Sequence, residues 1–195
     1  MILGVIPARG GSKGILRKNI MNLLGKPLVN WSIEAAQKSK LIDRFVVSTD
    51  DMEIAEISRN CGAEVLMRPH KYATNSASTV SVLQHAISEI EAETIVLLQP
   101  TSPIRVNNII DTAIENFLKS NADTLATGYI SHHYEWGQFD NLPRQKMDGF
   151  FHDDGNIYIF NKQVIKSGRW TGENLYRMEL EGLYNIEIDD ISEFW

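Results

Sequence analysis

A short apolar run, Ile2 to Ile6, ends at Pro7 and gives way at once to Ala8-Arg9-Gly10-Gly11-Ser12-Lys13-Gly14-Ile15-Leu16-Arg17-Lys18-Asn19. The run reads as a buried strand. The segment after it sets Gly10, Gly11 and Gly14 among Arg9, Lys13, Arg17 and Lys18, with no carboxylate between them. Glycines let backbone N–H groups approach an anion closely and the cations compensate its charge, so the pairing predicts a triphosphate-binding loop carried on a buried strand. It is not a Walker loop, because Gly25-Lys26 is followed by Pro27, and it is not the dinucleotide pattern Gly-x-Gly-x-x-Gly.

Strands and helices alternate through the rest of the chain. Pro27 suits a first helical position, with Leu28, Trp31 and Ala35 at helical spacing towards Ser39. Arg44 to Ser48 reads as a strand, and Asp50 with Glu53 as a capping-box start to a helix stopped by Gly62. Further strands are predicted at Glu64 to Met67, Thr94 to Leu98, Thr124 to Gly128 and Asn156 to Phe160, with helices at Ser78 to Ile90, Asn107 to Leu118 and Lys162 to Lys166. Strand-like pieces follow at Leu175 to Glu179 and Leu183 to Ile188. The continuous apolar run Thr94 to Leu98 is that of a strand covered on both faces. Alternation of this kind predicts a three-layer, Rossmann-like α/β fold, a mainly parallel sheet with helices on both faces.

With 195 residues and 43% hydrophobic content, the chain suits one core, hence a single domain over residues 1–195. A net charge of −6 argues against general binding to nucleic acid or anionic membranes, so the basic loop reads as a local site. The lone Cys61 forms no intrachain disulfide. Met1 runs straight into the first strand without a basic leader, and no apolar stretch approaches the ~20 residues of a membrane span, so a cytoplasmic protein is expected.

The wording of the loop, together with Ser48-Thr49-Asp50-Asp51, Arg68-Pro69, Leu98-Gln99-Pro100-Thr101-Ser102-Pro103 with Arg105, and Arg144-Gln145, resembles the acylneuraminate cytidylyltransferase family, the CMP-sialic acid synthetases and related CMP-nonulosonate synthetases. The motifs fall in the family's order over nearly the whole chain. The resemblance implies a nucleotide-diphospho-sugar transferase fold that transfers CMP from CTP to the anomeric hydroxyl of a nonulosonic acid and releases pyrophosphate. It further implies that Arg9, Ser12, Lys13 and Lys18, helped by Arg17, contact phosphates along the Ala8-Arg9-Gly10-Gly11 backbone. Asn19, Arg68, Ala77 and Thr79 match positions around cytosine and its ribose. Gln99, Thr101, Ser102, Arg144, Tyr158 and the Asp154-Gly155 turn match the sugar side. Of these, Lys18, Arg9 and Lys13 are the expected catalytic cations.

Between Tyr129 and Gly149 periodicity disappears while His132, His133, Tyr134, Trp136 and Phe139 crowd a polar segment, as in a functional or interface element. The resemblance makes residues 129–149 a projecting segment that forms a homodimer contact and serves the neighbour's sugar site. In Glu187-Ile188-Asp189 an extended backbone would send both carboxylates to one face. Alone this is a solvated strand edge; at this place it matches the family's Asp-Ile-Asp metal pattern, implying Mg²⁺ or Mn²⁺. Some residues depart from the pattern: Leu16 for Pro, Asn75 for Asp, Glu187 for Asp, and His152-Asp153-Asp154-Gly155-Asn156 for Arg-Pro-Asn-Gly-Ala. A His cannot pair bidentately with a carboxylate as Arg does, so the sugar is left open among the nonulosonates. Kdo activation and a catalytically weakened nucleotide-binding subunit are the alternatives.

Overall fold

The computed structural model describes residues 1–12, 14–73, 77–135, 137, 143 and 146–194. Its strands are β1 (Ile2–Pro7), β2 (Asn22–Leu23), β3 (Lys26–Pro27), β4 (Arg44–Thr49), β5 (Glu64–Met67), β6 (Thr94–Leu98), β7 (Thr124–Ser131), β8 (Phe150–Asn161) and β9 (Leu175–Glu179). The helices are α1 (Leu28–Lys38), α2 (Met52–Asn60), α3 (Thr79–Glu89), α4 (Ile109–Lys119) and α5 (Lys162–Lys166). Among the described residues, seven strands form one sheet in the order β5-β4-β1-β6-β8-β7-β9.

Two apolar clusters explain why the central strands read as unbroken apolar runs. Ile6, Val96 and Leu98 point to the face covered by α1, α2 and α4. Their neighbours Val5, Ile95 and Leu97 point to the face covered by α3 and α5. A strand with both faces buried has no polar position to alternate with. On α1, Val29, Ile33 and Ala36 recur at helical spacing and are all buried, so the apolar stripe meets the sheet.

The sheet is mainly parallel, as predicted, with one strand, β8, running against its neighbours among the described residues. β1 pairs in parallel with β4 and β6, and β7 with β9, but β8 runs antiparallel to both β6 and β7. β7 and β8 are arms of one hairpin paired out to Ser131 and Phe150, and β8 inserts between β6 and β7. Both arms outrun the predicted strands because their outer residues, such as His152 and Asp153, are exposed and polar and show no buried face. The segment from Leu183 to Ile188 is a 3-10 turn at Gly182–Tyr184 followed by irregular chain, not a strand. Pro27 is the N-cap of α1 rather than its first residue.

The start of α2 also differs. Asp51, not Asp50, is the N-cap, its Oδ1 accepting from the backbone N–H of Glu53 and Ile54 at 3.0 Å each. Asp50 is thereby free to reach back to the loop after β1. Gly62, at φ +82°, closes the helix as expected. No helix among the described residues is long and apolar enough to cross a membrane.

Candidate active site

From β1 the chain winds outward to β4 and β5, and from β6 it winds the other way. Loops leaving the carboxyl ends of β1 and β6 therefore part from each other and leave a crevice, the place where open α/β sheets hold ligands. A cavity of about 500 Å³ lies there. The loop after β1 contributes Arg9, Ser12, Lys18 and Asn19; Arg68 follows β5; Ala77 and Thr79 stand at the start of α3; Gln99 and Thr101 follow β6. Asp189 closes one end. Residues scattered over most of the sequence thus converge on one cavity.

The loop is pinned by its neighbours. The Gly10 N–H donates to Asp50 Oδ1 at 3.1 Å, and Asn19 Nδ2 donates to the Arg9 carbonyl at 2.9 Å. The Ala8 N–H donates to the Ser48 carbonyl at 2.9 Å, so Ala8 lies buried beneath the cavity as an extension of the sheet. Arg17 does not line the crevice. Its guanidinium pairs with Asp51 and Glu53, fastening the loop to α2 and holding the Asp51 carboxyl below the usual carboxylate range.

The glycines have more local reasons than anion approach. A Cβ on Gly10 would stand 2.5 Å from Asp51 Oδ2, and one on Gly14 only 2.4 Å from the Asp189 carbonyl oxygen. Gly11 faces open space. Gly14 is required because the chain from Ile186 to Asp190 packs directly on the loop.

Arg68 is the least satisfied of the site's cations. It is 8% exposed, its Nη1 donates to the Tyr72 carbonyl at 3.2 Å, and its Nη2 lies 3.9 Å from Asp50 Oδ1. Its Nε and Nη2 have no hydrogen-bond partner among the described residues. Burial pushes the guanidinium below its ordinary pKa, with Asp50 opposing and Arg9 adding to the effect. Buried donors without acceptors are costly, so a ligand acceptor is the natural partner.

Behind Gln99 lies a polar network. Arg105 donates through Nη2 to the carbonyls of Asn156 at 2.6 Å and Gln99 at 2.8 Å, and through Nη1 to Ser32 Oγ at 2.9 Å. Burial pushes its pKa down to about 9, with Asp154 opposing, so it stays a cation at neutral pH. Asp154 and Ser102, predicted on the sugar side, are turned inward. Asp154 Oδ1 accepts from Thr127 Oγ1 at 2.7 Å and from the Asn156 N–H at 3.0 Å, and Ser102 Oγ donates to the Asp154 carbonyl at 3.1 Å. Both are buried, so they shape the Gln99 turn and the Gly155 bend (φ +68°) without facing the cavity. Tyr158 lies in a separate cleft with Asp153 and Trp170, its hydroxyl donating to Asp153 Oδ2.

Glu187 and Asp189 flank Ile188, which is buried with Ile15 and Leu28 and whose N–H donates to the Thr101 carbonyl at 2.8 Å. This anchor, not a strand, directs the two carboxylates. Lys18 Nζ donates to the Ile188 carbonyl at 2.8 Å and to Asp189 Oδ1 at 3.0 Å. Burial, then the charge of Asp189, raises the Glu187 carboxyl above its ordinary pKa, and Lys18 opposes the rise. A half-buried carboxylate beside an exposed one suits a hard dication that keeps part of its water, although no group of three or more metal-type side chains is assembled among the described residues.

Lys13, Asn75 and Arg144 lie outside the described residues, as does much of the predicted projecting segment. Asp50, which the sequence offers within Ser48-Thr49-Asp50-Asp51 and as a helix cap, instead serves the loop by accepting from the Gly10 N–H. Asp153, one of the departures in His152-Asp153-Asp154-Gly155-Asn156, lies in the separate cleft with Tyr158.

A family profile described as cytidylyltransferase matches residues 3–176. The chain is 30% identical over 210 residues to an N-acylneuraminate cytidylyltransferase from Escherichia coli O18:K1:H7, covering 99% of this chain and 50% of that protein. It is 33% identical over 171 residues to a pseudaminic acid cytidylyltransferase from Campylobacter jejuni, covering 85% of this chain and 69% of that protein. Several of the curated relatives are thus about twice as long as this chain. Among solved structures, a CMP:2-keto-3-deoxy-manno-octonic acid synthetase complexed with CTP superposes with a TM-score of 0.77 at 15% identity, covering 98% of this chain and 94% of that one. At that identity the likeness establishes the fold alone.

Proposed function

The chain belongs to the cytidylyltransferase family, and from that premise we propose that it transfers CMP from CTP to the anomeric hydroxyl of a nonulosonic acid, releasing pyrophosphate. The observation that carries this reading is the crevice at the switch point, where a carboxylate-free cationic loop faces a buried arginine whose Nε and Nη2 have no hydrogen-bond partner among the described residues. The triphosphate suits Arg9, Ser12 and Lys18, and the base suits Arg68 with Asn19, Ala77 and Thr79. Gln99 and Thr101, which line the same cavity, are assigned to the acceptor side. In-line attack needs no covalent protein nucleophile, so the protein's part is positioning and electrostatic stabilisation of the leaving pyrophosphate. Glu187 and Asp189 would hold Mg²⁺, which when bound neutralises developing phosphate charge. We read residues 129–149 as the contact of a homodimer.

The test is pyrophosphate release with CTP and Mg²⁺ across N-acetylneuraminate, legionaminate, pseudaminate and Kdo. Release with one nonulosonate, abolished by EDTA, is expected. Reaction with Kdo alone would reassign the acceptor, and CTP binding without turnover would favour a weakened nucleotide-binding subunit.

The packing of Gly14 gives a second expected result. Gly14→Ala should lower kcat/KM about tenfold by displacing the Asp189 backbone. Gly182→Ala, whose added Cβ meets nothing within 4 Å, should leave kcat/KM unchanged. Equal rates for the two variants would show that the contact between loop and Asp189 is dispensable.

A further inference from the structure

His85 plays no part in the crevice lining, yet it is 7% exposed on α3 and within electrostatic reach of Arg68. Its ring lies 5.1 Å from that of Tyr72, tilted by 32°. Tyr72 belongs to the short 3-10 turn His70–Tyr72, and its carbonyl is the acceptor that holds Arg68 Nη1. The turn is closed by the Tyr72 N–H donating to the Pro69 carbonyl at 2.9 Å. Lys71 Nζ covers the Tyr72 ring at 4.7 Å. A chain of contacts therefore runs from His85 through Tyr72 to the guanidinium facing the ligand.

We propose that His85 is a positioning residue for nucleotide recognition: as a neutral imidazole it props Tyr72 and so holds Arg68 in the crevice, and its protonation releases that hold. This deepens the cytidylyltransferase reading and rests on it. The geometry specifies the neutral form. His85 Nδ1 is buried with no hydrogen-bond partner among the described residues, so a proton placed there would be a buried, unpaired N–H on a cation. The charged groups around the ring are Arg68 and Lys71 from the preceding segment and Glu89 from the same helix, with Asp50 beyond Arg68. Burial lowers the imidazole pKa, the two cations add to that, and Glu89 opposes it. Because the folded-state pKa is depressed, the favourable neutral packing is intact above the ordinary imidazole range. It is lost as pH falls through the folded value. Protonation would bring a third positive charge to a turn already flanked by Arg68 and Lys71.

The experiment measures CTP affinity by calorimetry with Mg²⁺ present, for wild type, His85→Phe and His85→Ala, between about pH 7.5 and 5.5. Wild type should lose affinity on acidification about two- to threefold more than His85→Phe, which keeps a ring in the same space and cannot titrate. Comparing the two at each pH cancels the titration of CTP itself. At pH 7.5, His85→Ala should raise Kd and KM for CTP by about five- to tenfold while kcat at saturating CTP stays within about a factor of two. Parallel pH profiles for wild type and His85→Phe would overturn the proposal, as would a fall in kcat matching the rise in KM. If the alanine variant fails to fold, the phenylalanine profile decides alone. Wild type that binds no CTP at any pH would overturn the proposed function itself, and this inference with it.

Discussion

Arg105→Met should destabilise the protein by about 3–5 kcal/mol, the range for breaking a buried charged network at one member. For a domain of this size that is roughly a 6–20 °C fall in Tm. The substitution keeps the length of the stem but strips the carbonyls of Gln99 and Asn156 and the hydroxyl of Ser32 of their donor. It also leaves Asp154 without the one cation acting on it, while its Oδ2 is already buried without a partner among the described residues. Burial has already raised the Asp154 carboxyl, and loss of Arg105 should raise it further. The variant should therefore be relatively more stable in mild acid than at neutral pH, where Asp154 must ionise unpaired. Arg105→Lys keeps the charge but cannot reach the three acceptors at once, so it should fall between the two. Thermal unfolding followed by circular dichroism reads this directly. A Tm within a degree or two of wild type would show that the buried arginine is not what fixes the Gln99 turn.

Lys18→Met should lower kcat by about 10²- to 10³-fold, the usual loss when one donor to a developing oxyanion is removed. Lys18 joins the phosphate loop to the carboxylate end of the crevice. Its side chain is 12% exposed, and Nζ is held by the Ile188 carbonyl and Asp189 Oδ1. In the proposed reaction that position would let it exchange a carboxylate contact for the pyrophosphate as charge builds there. Methionine preserves the stem packing, so stability should change little, because the pair includes a largely exposed carboxylate. Steady-state kinetics with CTP and the accepted sugar separate the possibilities. A loss confined to KM would mean that Lys18 binds the ground state only, and would remove it from the chemical step.

The residues that converge on the crevice were legible because each motif sits directly after an apolar run. Arg9 to Asn19 follows β1, Arg68 follows β5, and Gln99 to Thr101 follows β6. Parallel strands place those ends on one side of the sheet, so order along the chain translates into proximity. Asp154 and Ser102 are turned inward instead. Their motif position suggested ligand contact, but their side chains satisfy Thr127, Asn156 and the chain itself. A residue's facing is settled by partners that no local pattern displays.

Strand and helix periodicity, the cationic loop and the motif order are properties of neighbouring residues, and the sequence alone determined them, together with the family and the α/β class. What only the tertiary structure decided depends on groups distant along the chain. β8 inserts antiparallel beside β6, Arg105 meets Asn156, and Asp189 presses on Gly14. Asp50 and Asp51, adjacent in sequence, serve different elements because one faces Gly10 and the other the first turn of α2. Local propensity acts over a few residues. The burial of Arg68, the facing of Asp154 and the support from His85 arise from long-range packing and from the cost of leaving buried polar groups unpaired.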